Sequence, residues 1–176
     1  MVSTKQEFKS TVVDVYSEAR ELALLNRIAA RDRAAMSELH FNYHHRLANF
    51  FSCLTARPGL VEQMTVDTLV DVWERAASFD RILRVSTWII AMAYRRALRA
   101  LTDHDAAFDE GRRAQVRGKL GRALLTLPRG QRALLALTYC LGCSCREAAS
   151  ILECSTGQVG TQLLLARQAL RAALSG

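Results

Sequence analysis

The chain has 176 residues, half of them hydrophobic, and carries a formal net charge of +7 from 24 Lys and Arg against 17 Asp and Glu. That balance marks a globular chain rather than a disordered one, of one or two domains, whose partner is acidic, as nucleic acid is. No apolar run approaches the roughly 20 residues that cross a bilayer, and the opening MVSTKQEFKS has no signal-peptide core. The expectation is a cytoplasmic protein with no membrane insertion, its five cysteines free thiols.

Residues 1–20 read as a mixed-charge extension. From Glu21 to Ala30, the apolar Leu22, Leu25, Ile28 and Ala29 predict a short amphipathic helix. Asp32 supplies a new cap, after which Met36, Leu39, Tyr43, Leu47, Phe50, Phe51 and Leu54 step by threes and fours along a long core helix. His40, His44 and His45 lie on it with no acidic or cysteine partner at metal spacing, so a solvated or interfacial role is favoured over ligation.

Arg57-Pro58-Gly59 breaks the chain. Leu60 to Ala77 then turns Leu60, Met64, Leu69, Val72, Trp73 and Ala76 inward and leaves Glu62, Asp67, Asp71 and Glu74 outside. That acidic face is either ordinary solvated surface or a dock for a basic protein partner. A loop from Phe79 to Ser86 leads to a helix capped by Ser86 or Thr87. Its open side carries Arg95, Arg96 and Arg99 beside the aromatics Trp88 and Tyr94, groups that hold phosphates and stack splayed bases.

The polar stretch from Thr102 to Gly111, with Asp103, Asp105, Asp109 and Glu110, reads as a linker. Beyond it, Arg112, Arg113, Arg117, Lys119, Arg122, Arg129 and Arg132 spread over two helices flanking Pro128, with no acid between Arg112 and Arg146. Such a one-signed surface attracts phosphate whatever the base sequence. Ser144 with Glu147, and Ser155 with Gln158, are two capping boxes separated by a turn too short for anything but helix-turn-helix. Val159, Leu163, Ala166, Leu170 and Leu174 pack the second helix, while Gln158, Thr161 and Gln162 look outward as a groove-reading helix presents them. With little room for strands, the fold class is all-α: two small helical domains on a short linker, the C-terminal one a helix-turn-helix.

The runs DRAAMSELHFNYHHRL, VEQMTVDTLVDVW and FDRILRVSTWIIAMAYRRAL resemble region two of bacterial sigma factors of the extracytoplasmic-function (ECF) group, and LPRGQRALLALTYCLGCSCREAASILECSTGQVGTQLLLARQAL resembles their region four. The likeness divides the chain into an extension (1–20), a region-two-like domain (21–102), a linker (103–111) and a region-four-like domain (112–176). It implies a binding subunit and not an enzyme, with no cofactor, whose partners are core RNA polymerase, promoter DNA and an anti-sigma factor. The implied polymerase-binding face is Glu62, Gln63, Val66, Asp67, Val70 and Asp71. The implied −10 side is Phe79, Arg84, Ser86, Trp88, Arg95, Arg96 and Arg99; the implied −35 side is Arg146, Thr156, Gln158, Thr161, Gln162 and Arg167.

Several positions depart from the family pattern. Gln63 and Val66 stand where the clamp helix usually has an acid and a glutamine. The family's G-T-V-K-S-R at the start of the recognition helix is here Gly157 to Gln162, with both basic residues gone. Weaker or unusually specific −35 contact follows, or a region four turned toward a protein partner. Cys140, Cys143, Cys145 and Cys154 could in principle close a tetrahedral zinc site; packing as small hydrophobes is favoured, with Cys145, in a helix first turn, the redox-sensing candidate. Two other functions remain open at this level: a stand-alone helix-turn-helix regulator, and a sigma-like decoy that binds an anti-sigma factor without initiating transcription.

Overall fold

A computed structural model describes residues 17–101 and 118–175, and among these every regular element is helical. The extension before residue 17, the acidic linker and Arg112, Arg113 and Arg117 lie outside the described residues. Helix α1 covers residues 17–29, so it already includes the Glu18 and Arg20 assigned to the extension. Arg20 pairs with Glu38 at 3.1 Å and Glu18 with Arg84 at 3.4 Å, which gives that turn partners on other helices that sequence periodicity does not register.

Asp32 stops α1 and starts α2 (Arg33–Leu54), its side chain accepting from the Ala34 and Ala35 amides. Those backbone bonds, then the Arg27 guanidinium, hold its carboxyl below the usual carboxylate range. The buried stripe Ala35, Leu39, Tyr43, Leu47, Phe50, Phe51 and Leu54 is the predicted one with Ala35 in place of Met36, which is half-buried. Tyr43 donates its hydroxyl to Glu21 at 2.7 Å; burial, then the Glu21 charge, raises its pKa well above that of an ordinary phenol.

Pro58 occupies the first turn of α3 (Pro58–Arg75), where a missing N–H costs nothing. Its inward face is Val61, Met64, Leu69 and Val72, with Thr65 and Thr68 also buried. Both threonines donate to the preceding turn, at 2.8 Å to the Val61 carbonyl and 2.7 Å to that of Met64, so neither hydroxyl is left unsatisfied. After a 3-10 turn (Ala76–Ser78) and a loop, α4 (Val85–Ala100) buries Val85, Ile89, Ile90, Ala91, Met92, Ala93 and Ala97. Neither Ser86 nor Thr87 caps it: the N-cap is Arg84, with no side-chain cap bond, because Thr87 donates instead to Glu147 at 3.0 Å.

The second half runs through α5 (Lys119–Thr126), α6 (Arg129–Leu135), a π turn (Ala136–Cys140), α7 (Cys145–Leu152) and α8 (Thr156–Ser175). One apolar cluster runs unbroken from Leu24 through Phe50, Ile89 and Leu137 to Ala166. Polar ties reinforce it. Arg46 donates to the Leu141 carbonyl at 3.1 Å, Arg129 to that of Leu101 at 2.7 Å, and Glu147 accepts from Thr87.

Candidate nucleic-acid interface

Two cap residues position the helix-turn-helix. Ser144 accepts from the Glu147 amide at 3.2 Å while Glu147 accepts from the Ser144 amide at 2.9 Å. The second box repeats this, with Gln158 N–H donating to Ser155 at 3.2 Å and Ser155 N–H donating to Gln158 at 2.9 Å. Between them Glu153 sits in the left-handed region at φ 54°, a C-terminal geometry uncommon for a side-chain-bearing residue. Ala148, Ala149, Ile151, Val159, Leu163 and Ala166 are buried.

This packing leaves Arg146, Thr156, Gln158, Thr161, Gln162 and Arg167 all exposed. Gln158, however, is engaged in its own cap, and Thr161 donates to the Gly157 carbonyl at 3.1 Å. Gln162 retains an amide able to form a bidentate contact with adenine. Arg167 lies 5.5 Å from the centre of the exposed Tyr139 ring. A broad groove of about 710 Å³ runs beside the helix start, lined among others by Pro128, Gln131, Leu152 and Gln162.

On the other half, Phe79 and Trp88 are half-buried and tilt against each other, ring centres 5.2 Å apart. Arg95 and Arg99 are exposed on the same helix as Trp88. Arg96 differs from both. It is drawn back onto α3, bonding Asp71 at 2.5 Å and Asp67 at 3.4 Å, so its charge is spent between two carboxylates and it is not part of an open basic stripe. Arg84 is held by Glu18 and, at 3.7 Å, by Glu147; Ser86 is half-buried beside it.

The outer face of α3 presents Glu62, Gln63, Val66 and Val70 to solvent, the two valines 43% and 47% exposed. Asp67 and Asp71, half-buried, border this strip through their Arg96 pairs. An apolar ridge rimmed by acids and one glutamine is chemically suited to a basic, amphipathic partner helix.

Glu147 links the two surfaces. Burial pushes its carboxyl up, yet the backbone and hydroxyl of Ser144, the Thr87 hydroxyl and the Arg84 charge together hold it below its ordinary value. No motif marks this role; the capping box identified Glu147 only as a local cap. Among the described residues no three His, Cys, Asp or Glu side chains gather as a metal site. Cys143 is buried, which, followed by the Glu147 charge, raises its thiol to about 12. Cys145 is exposed and Cys154 half-buried. Cys140 meets Cys53, 3.4 Å away on the end of α2, a partner 87 positions distant that no local spacing reveals.

The family described as Sigma-70, region 4 matches residues 117–170. The ECF RNA polymerase sigma factor RpoE of Cereibacter sphaeroides is 27% identical over 162 residues, 82% of this chain and 89% of that one. The ECF RNA polymerase sigma factor SigK of Mycobacterium tuberculosis is 31% identical over 77 residues, 43% of this chain and 41% of that protein. Among solved structures, CnrH in complex with the cytosolic domain of CnrY superposes with a TM-score of 0.72 at 25% identity, covering 88% of this chain and 97% of CnrH. The sigma factor RpoE bound to the anti-sigma factor NepR, from Bartonella quintana, shares the fold with a TM-score of 0.64 at 20% identity, over 79% of this chain and 96% of that one. No helix among the described residues is long and apolar enough to cross a membrane.

Proposed function

We propose that this chain is an ECF sigma factor, a reading supported by the region-four match and the likeness to RpoE, and that it binds core RNA polymerase and directs it to promoters, opening the −10 element and contacting the −35 element. The observation that carries this is the doubly capped helix-turn-helix, whose second helix offers a solvent-facing surface of uncharged hydrogen-bonding groups at its start. The α3 ridge of Val66 and Val70 is the face for the polymerase. Phe79, Trp88, Arg95 and Arg99 form the −10 side, where ring stacking on extruded bases contributes about 1–3 kcal/mol per base. That offsets an unstacking cost of a few kcal/mol per step. At −35, Arg146 and Arg167 are the only cations among the six residues of that side, so base reading rests on uncharged groups and affinity comes mostly from the polymerase holding the factor on the promoter.

Control by an anti-sigma factor is part of the proposal. The likeness to CnrH, solved in complex with the cytosolic domain of CnrY, supports a protein partner, as does a recognition helix poor in positive charge. The test is reconstitution with core polymerase and promoter-dependent run-off transcription. Initiation from a defined start site supports the proposal. Specific DNA binding without core identifies a stand-alone regulator, and tight anti-sigma binding with no initiation identifies a decoy; either result overturns it.

A further inference from the structure

The structure places two thiols from opposite halves of the molecule against each other. Cys53 lies in the last turn of α2, half-buried, and Cys140 closes the π turn, exposed. Their sulfurs are 3.4 Å apart. A disulfide needs about 2.05 Å, so the gap closes by little more than an ångström, within the reach of a small χ1 adjustment. The helices that carry them are already fixed beside each other, α2 packing on α6 and on the π turn, with Arg46 of α2 holding the Leu141 carbonyl immediately after Cys140.

We infer that Cys53 and Cys140 form a reversible oxidation site, closing under peroxide to a disulfide that staples the two helical halves together. The roles are unequal. Cys140 is the exposed sulfur, and the hydrogen bond from Cys53 holds its thiol below the ordinary value, so it is the group that meets peroxide first. Cys53 moves the other way, raised by the same bond and then by burial, and is the resolving thiol. The Cys140 thiolate attacks a peroxide oxygen, the O–O bond breaks, and a sulfenic acid forms as the first water leaves. The Cys53 sulfur then displaces the sulfenic oxygen, its proton leaving with that oxygen as a second water. The two sulfurs lose two electrons, the peroxide gains them, and two thiols plus hydrogen peroxide give one disulfide and two waters. A dithiol reductant reverses the bond by exchange.

On the sigma-factor proposal above, the oxidised form is the silent one. The staple prevents the two halves from separating to reach promoter elements a fixed distance apart on DNA. It also keeps Glu147 of α7 against Arg84 and Thr87 at the start of the −10 helix.

The experiment treats the full reduced chain with graded hydrogen peroxide and maps linked peptides without reduction. Expected is a Cys53–Cys140 peptide in monomeric protein, unchanged in Cys145→Ser, absent in Cys53→Ser, where Cys140 instead accumulates as a sulfenic acid trapped by dimedone. The oxidised wild type should melt several degrees above the reduced one, and Cys53→Ser should show no such shift. Linkage of Cys140 to Cys143 or Cys145, disulfide-bonded dimers, or both thiols remaining free while Cys145 oxidises overturns the inference. In run-off transcription the oxidised chain should lose at least tenfold in activity and recover with dithiothreitol; equal activity overturns the silencing role. A reduced chain that never initiates refutes the sigma proposal and leaves the peptide map standing.

Discussion

The α3–α4 pair and the α7–α8 pair are both two-helix units with an exposed outer face, yet they manage charge in opposite ways. On α3 and α4 charges are abundant and partly spent internally, Arg96 being bound to Asp67 and Asp71. On α7 and α8 the cap serines, Gln158 and Glu147 are turned to building the helix starts, and the first two turns of α8 carry no charge at all. The first unit presents opposite charges side by side, with acids on α3 and the open Arg95 and Arg99 on α4, whereas the second offers only uncharged hydrogen-bonding groups at the start of its outer helix.

The contrast depends on the halves sharing one core, and the strongest way to break it is a cavity at the join. Leu137, fully buried, truncated to alanine should cost about 2–5 kcal/mol. Because both tryptophans, Trp73 and Trp88, lie in the first half, their fluorescence should follow the same destabilised transition; a tryptophan signal that does not move would divide the molecule into independent units. Arg96→Ala comes next, at about 1.5–3 kcal/mol for the lost charged bonds, read by chemical denaturation. Arg95→Ala, an exposed neighbour, should stay within about 0.5 kcal/mol and serves as the control.

Removing the caps sharpens the second half of the comparison. Ser155→Ala should cost about 1 kcal/mol, and Ser144→Ala more, because it also frees Glu147 from the joint with α4; thermal melts of the two variants side by side test the order. Gly160→Lys replaces an exposed glycine with open space around its missing Cβ. It should leave the fold intact and steepen the salt dependence of DNA binding by about one unit of log–log slope, measured by fluorescence anisotropy at several salt concentrations. The smallest effect is the pH response of the joint. The folded Glu147 carboxyl titrates below its unfolded value, so its contribution is present above the unfolded pKa of about 4.3 and is lost as pH falls through the folded one. Wild type should therefore lose more stability between pH 5 and pH 3 than Glu147→Gln, to about the extent of one weak tie.

Much of this was legible in the sequence, and the division is physical. Both capping boxes, the Asp32 cap and the Pro58 start are written within four residues of the groups they serve, so spacing reveals them. Periodicity marks the acids on the outer face of α3, whereas the Val66 and Val70 ridge between them entered only through the family resemblance. Arg96 was not legible as a paired group because its partners sit on a different helix, and a run of three arginines looks equally open at every member. Thr87 looked like a cap because nothing local announces Glu147, 60 positions away. Cys53 offered no signal beside the conspicuous C-x-x-C-x-C run, although its true neighbour belongs to that run.

The π turn at Ala136–Cys140 accommodates one residue more than a regular turn, its closing bond running from the Leu141 amide to the Ala136 carbonyl at 3.1 Å. Each residue of an α-helix advances the azimuth by about 100°. Excising a single position there would swing Tyr139 and Cys140 away from Arg167 and Cys53 together, so that insertion acts as an indexing notch: it sets the angular phase at which the distal half meets the proximal one, and a natural length variant at this spot would arrive with a different aromatic and thiol partnership.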